Sequence, residues 1–117
     1  MGAADALEEL EVDPERVQAW LAGDSAEVID VREDAERAAG HIAGTRHVEL
    51  VELSAQAQSL PRDRPVVFYC RVGNRSLMAA QALRASGFEA YSMRGGLVRW
   101  AHEARPLSPA GGYVADH

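Results

Sequence analysis

The chain reads as an α/β domain built on a mainly parallel sheet. Three observations carry that reading. Short apolar runs alternate with helix-compatible stretches along the 117 residues. Glycine and proline punctuate the joins. The one cysteine follows an apolar run, Val66–Tyr69, and leads through a tight loop, Cys70-Arg71-Val72-Gly73-Asn74-Arg75, into a helical stretch.

Each element has a local reason. Leu10-Glu11-Val12 fits an edge strand. Asp13 suits an N-cap and Pro14 the first helical position. Val17, Trp20 and Leu21 then form an apolar stripe, and Gly23 ends the helix. Glu27 to Val31 predicts a buried strand. Glu33 to Ala39 predicts a short polar helix closed by Gly40. Thr45 to Leu50 contains another short strand, and Leu53 to Leu60 a weak helix halted by Pro61. After the strand at 66–69, a helix is predicted over 76–86, stopping at Gly87. Ala90 to Met93 is a further strand. Gly95-Gly96 is a turn before a short helix, Leu97 to Glu103, with Leu97 and Trp100 facing inward. Trp20, Trp100 and Phe88 are expected in the core. The domain is expected to span residues 8–106, with 1–7 and 107–117 as flexible termini.

Composition narrows the function. A chain of 117 residues supports one domain with one core. Hydrophobic content of 47% and charged content of 26% match a soluble globular chain. One cysteine makes no internal disulfide. The acidic start, Met1 to Glu9, has neither signal-peptide nor membrane-span character, so a cytoplasmic location is the default expectation. All 12 basic residues are arginine, which excludes a Schiff-base lysine and a Walker-type phosphate loop. Residues 1–61 carry 4 Arg against 14 acids, and residues 62–117 carry 8 Arg against 4. The half holding Cys70 is therefore cationic and suits small anionic substrates. The net charge of −6 and the absence of a dense arginine run speak against nucleic acid.

The chemistry centres on Cys70. A sulfur at the end of a strand and over a helix start meets backbone N–H groups and the positive end of the helix dipole. Arg71 and Arg75 add full charges. Such surroundings favour the thiolate, which is the nucleophilic form. The loop N–H groups from Arg71 to Ser76 suit a nest for an anion, and Gly73 frees the backbone to turn. Arg71 is a candidate oxyanion contact. Arg75 either shares that role or braces the loop against Asp30 or Glu33. In parallel sheets ligands bind beyond the carboxyl ends of the strands, so Asp30-Val31-Arg32-Glu33 is expected beside the Cys70 loop. His41 is read as a structural histidine. His47, His102 and His117 show no metal-ligand spacing with Cys70, and no metal is expected.

Asp30-Val31-Arg32-Glu33, Gly40-His41-Ile42-Ala43-Gly44 and Cys70-Arg71-Val72-Gly73-Asn74-Arg75-Ser76 stand in that order. With Gly87-Phe88 and Gly95-Gly96…Trp100, they resemble the rhodanese-like sulfurtransferase family from about Leu10 to Pro106. The resemblance implies a three-layer fold, a five-stranded mainly parallel sheet with helices on both faces. It implies that Cys70 takes a sulfane sulfur from a small anionic donor such as thiosulfate and holds it as a persulfide. Cyanide, or an external thiol or protein, then accepts the sulfur, with no cofactor and no metal. Arg71, Val72, Gly73, Asn74, Arg75 and Ser76 would bind the substrate; Asp30, Arg32 and Glu33 would orient the loop. The chain has no second cysteine to act as an internal acceptor. It departs from the family pattern where Ala43, Glu49 and Asp34 replace common prolines and Arg37 replaces an aromatic residue.

Two other readings compete. Cysteine phosphatases and arsenate reductases use Cys-x5-Arg; here the spacing is Cys-x4-Arg, one residue short. The second is a non-catalytic sulfur-carrier or regulatory module on the same fold; binding or regulatory modules of that kind typically lack the cysteine, so Cys70 speaks against them.

Overall fold

The computed structural model describes residues 10–116. Strands β1 (Glu11–Val12), β2 (Glu27–Asp30), β3 (Arg46–His47), β4 (Val66–Tyr69) and β5 (Ala90–Met93) form one sheet. Its order is β1-β5-β4-β2-β3, and every pairing is parallel. The helices are α1 (Pro14–Ala22), α2 (Asp34–Ala39), α3 (Leu53–Gln56), α4 (Asn74–Ala85) and α5 (Gly96–His102). The expected α/β class and five-stranded parallel sheet are both present.

The sheet divides the core by side-chain alternation. On β4, Val66, Phe68 and the following Cys70 enter one cluster with Ala79, Ala80 and Leu83 of α4. Val67 and Tyr69 enter the other, with Val17 of α1 and Leu97 and Trp100 of α5. All four residues of β4 are fully buried, which is why this strand reads as an unbroken apolar run.

Several boundaries differ from the sequence expectation. Helix α4 begins at Asn74, two residues earlier than Ser76, because Gly73 adopts φ +115° and serves as its N-cap. The region 53–60 is one α-turn flanked by 3-10 turns at Leu50–Glu52 and Ala57–Ser59. Asp13 makes no side-chain cap on α1; it accepts hydrogen bonds from Arg94 and Arg99 instead. Trp20 is half-buried and packs against Tyr91, 5.7 Å between ring centroids, whereas Trp100 and Phe88 are buried as expected.

The segment after Pro106, read from sequence as mobile, folds back along the domain. His41 and Ser108 exchange backbone hydrogen bonds of 2.9 and 2.7 Å, and Tyr113 N–H donates to Ala39 at 3.0 Å. The expected lower boundary at residue 8 lies outside the described residues. No helix among the described residues is long and apolar enough to cross a membrane.

Candidate active site

Register brings the two polar segments together. Asp30 at the end of β2 lies beside Tyr69 at the end of β4, and Val31 N–H donates to the Tyr69 carbonyl at 3.0 Å. Both strands therefore deliver their next residues to one sheet edge, where parallel folds bind ligands.

Cys70 is buried at the floor of the loop. Its Sγ accepts from Gly73 N–H at 3.1 Å and from Ser76 N–H at 3.4 Å. Ser76 Oγ lies 3.5 Å from Sγ, donates to the Gly73 carbonyl at 3.2 Å, and meets Ser92 Oγ at 2.8 Å. Converging N–H donors at a helix start stabilise negative charge on the atom they face. The carbonyls in the loop point elsewhere: Cys70 O accepts from Leu97 N–H at 2.8 Å, and Arg71 O from Val98 N–H at 3.0 Å. The first turn of α5 thus holds the loop from behind. Gly96 permits this contact, since a Cβ there would sit 2.4 Å from Arg71 O.

The loop arginines have different partners from those expected. Arg75 forms a two-pronged ion pair with Glu36, at 2.8 and 2.9 Å. Glu36 also accepts from the Glu33 N–H, closing a capping box at the start of α2. Burial pushes the Glu36 carboxyl up, but the Arg75 and Glu33 hydrogen bonds and the charges of Arg75 and Arg32 outweigh it. The result is a value lowered from 4.5 to about 2. The same Glu36 bonds raise Arg75 against the effect of its own burial. Arg71 meets Asp116 from the C-terminal segment at 2.9 Å.

Asp30 and Arg32 form a fully buried pair. Arg32 Nε and Nη2 donate to the two carboxylate oxygens at 2.9 and 2.8 Å, and Nη2 also donates to the Gly40 carbonyl. Arg37 fills the position where an aromatic residue is usual. It reaches Asp30 at 3.5 Å and donates to the Thr45 carbonyl at 2.7 Å. These groups fasten β2 to the turn at 40–45, while Glu36 holds Arg75 at the end of the loop. Glu33 and Asn74 are exposed, Val72 forms part of the exposed rim, and Gly73 and Ser76 are buried. His41 holds the Arg37 carbonyl at 3.1 Å, a structural role. Asp34, His47 and Glu49 bring potential ligand atoms within 4.8 Å of one another, a group that does not include Cys70.

The Rhodanese-like domain family model matches residues 13–103. The chain belongs to the rhodanese-like domain family. Several of its relatives carry sulfurtransferase names. The tRNA sulfurtransferase of Desulfurococcus amylolyticus is 45% identical over 80 residues, which is 68% of this chain but only 16% of that protein. The thiosulfate sulfurtransferase GlpE of Pseudomonas fluorescens is 39% identical over 90 residues, 76% of this chain and 82% of that one. Among solved structures, a rhodanese-related protein from Thermoplasma volcanium is 28% identical with a TM-score of 0.77, over 83% of this chain and 95% of that chain.

Within this rhodanese-like domain, Glu36, Ser92 and Gly96 contact the loop but were not among the site residues read from sequence. Ser92 carried a signal, as the one small polar residue inside the strand Ala90-Tyr91-Ser92-Met93. Glu36 reads first as a capping-box residue, which accounts for it without any tertiary role.

Proposed function

We propose that this rhodanese-like chain is a sulfurtransferase in which Cys70 carries the transferred sulfur as a persulfide. The observation that carries the reading is the pair of N–H donors, Gly73 and Ser76, aimed at Sγ from the start of α4. The names of the relatives support the same class of chemistry. With thiosulfate as donor, the Cys70 thiolate attacks the sulfane sulfur. A new S–S bond forms on Cys70, the donor S–S bond breaks, and sulfite leaves with the electron pair. Cyanide or a thiolate then attacks the outer sulfur, and the Cys70 thiolate leaves. The loop N–H groups stabilise the Cys70 thiolate that attacks in the first half-reaction and is released in the second. Arg71, Val72, Gly73, Asn74, Arg75 and Ser76 line the donor's approach, and Asp30, Arg32 and Glu33 secure the neighbouring strand end. The acceptor is external, because the chain holds one cysteine.

Intact-mass analysis tests this. Thiosulfate adds the mass of one sulfur atom, cyanide removes it, and Cys70→Ser shows neither change. Full turnover by the serine variant would overturn the assignment.

A further inference from the structure

The segment beyond Pro106 is a strap that the proposed chemistry leaves unused. Trp100 Nε1 donates to the Pro106 carbonyl at 2.8 Å. The His41–Ser108 bridge and the Tyr113–Ala39 bond then seat it along the end of α2. Gly40 makes room for it, since a Cβ there would lie 2.3 Å from Tyr113 O. Leu107 and Val114 pack against the core on the Trp100 side of the sheet. The path ends at the Cys70 loop, with Asp116 Oδ1 2.9 Å from Arg71 Nη2.

The two loop arginines are held in unlike ways. The Arg75 partner, Glu36, is buried, with 4% of its side chain exposed; the Arg71 partner, Asp116, is 93% exposed. An exposed pair exchanges partners at small cost, whereas a buried one does not. Arg71 is therefore the loop cation that an incoming anion can claim, and Asp116 is the group it must displace.

We propose that Asp116 is a selectivity residue that acts as an internal anion on Arg71 and disfavours small anionic sulfur donors relative to uncharged ones. This rests on the reading of Cys70 as a sulfur carrier with Arg71 at its rim. Only the fraction of molecules with Arg71 released binds the donor oxyanion, so the apparent affinity falls by that fraction. A donor without a formal charge approaches Cys70 with the pair intact.

Sulfate is the probe, because it is an oxyanion without a sulfane sulfur and so reads binding alone. Backbone amide shifts of residues 71–76 are followed during sulfate titration of the full chain, as wild type, Asp116→Asn and Arg71→Gln. Asp116→Asn lowers the sulfate Kd about two- to fivefold, the range of an exposed ion pair. Arg71→Gln raises it above wild type. An unchanged Tyr113 amide in Asp116→Asn shows that the strap stays seated; a displaced Tyr113 amide makes Asp116 an anchor of the strap and overturns the proposal. Equal Kd values for wild type and Asp116→Asn, or no sulfate response at residues 71–76, also overturn it. A sulfate effect without a Cys70 persulfide refutes the sulfur chemistry but not the competition. A persulfide with equal sulfate affinities refutes the competition alone.

Discussion

Glu36 grips Arg75 with both carboxylate oxygens and so joins α2 to the far end of the Cys70 loop. The pair spans 39 residues of sequence and fixes the guanidinium away from free rotation over the site. Glu36→Gln leaves Arg75, whose side chain is 26% exposed, without its partner, so the variant destabilises the chain at neutral pH by about 1–3 kcal/mol. The pH dependence has a definite sign. The folded carboxyl titrates at about 2 and the unfolded one at 4.5, so the pair contributes fully above 4.5 and is lost as pH falls through about 2. Urea unfolding across that window should show the Glu36→Gln penalty shrinking toward acid. A penalty that stays constant would mean that Glu36 is not ionised in the fold.

Arg71 and Arg75 should separate in kinetics. Arg71→Ala raises the thiosulfate KM about 10-fold, the loss of one charge-assisted contact of about 1.5–3 kcal/mol partly offset by release from Asp116, with little change in melting temperature. Arg75→Ala lowers kcat and thermal stability together, since it strands Glu36. Rising ionic strength weakens wild-type kcat/KM through screening, and the Arg71 variant shows a shallower response. Wild-type KM and salt dependence in both variants would make the arginines purely structural.

Gly96 should tolerate no side chain. An added Cβ would lie 2.4 Å from Arg71 O and 2.7 Å from Val72 N, at φ +62°. Gly96→Ala is expected to cost about 2–3 kcal/mol and to slow sulfur transfer by shifting the loop that carries Cys70. Gly44→Ala is the control: its φ is +79° and nothing lies within 4 Å of the new methyl group. It should cost about 1–2 kcal/mol, from backbone strain alone, and leave transfer intact. Equal losses at the two sites would remove the case for contact with the loop.

Phosphate monoesters should not be turned over. The loop is one residue shorter than Cys-x5-Arg, and Arg75 at its end is committed to Glu36. Release of para-nitrophenol from its phosphate should match that of Cys70→Ser. Efficient release that depends on Cys70 would overturn the argument from loop length.

The site was legible in sequence where its parts are contiguous. The order of an apolar strand, Cys70, Gly73 and a helix is enough to place Sγ over N–H donors, because strand and helix geometry fix the rest. What was hidden depends on backbone approach between distant segments. Gly95-Gly96 reads as a turn, and the carbonyl that Gly96 abuts belongs to Arg71. Ser108 to Asp116 reads as loose because its anchors are mostly main-chain bonds, to which side-chain identity is blind. One reading of Arg75 braces it against Asp30 or Glu33; Asp30 is held by Arg32 and Arg37, and Arg75 pairs with Glu36, whose capping-box role hid it in the sequence.

Strand β5 lies between β1 and β4, so the N-terminal edge strand bonds only to the last strand made. During synthesis, β1 emerges first and waits without its neighbour until residue 93 is available. A ribosome-bound chain that stops short of β5 also lacks Ser92, the partner of Ser76 behind Cys70. Completion of the sheet and completion of the Cys70 loop are therefore one late event, and a prematurely ended chain offers neither a closed fold nor a finished Cys70 loop.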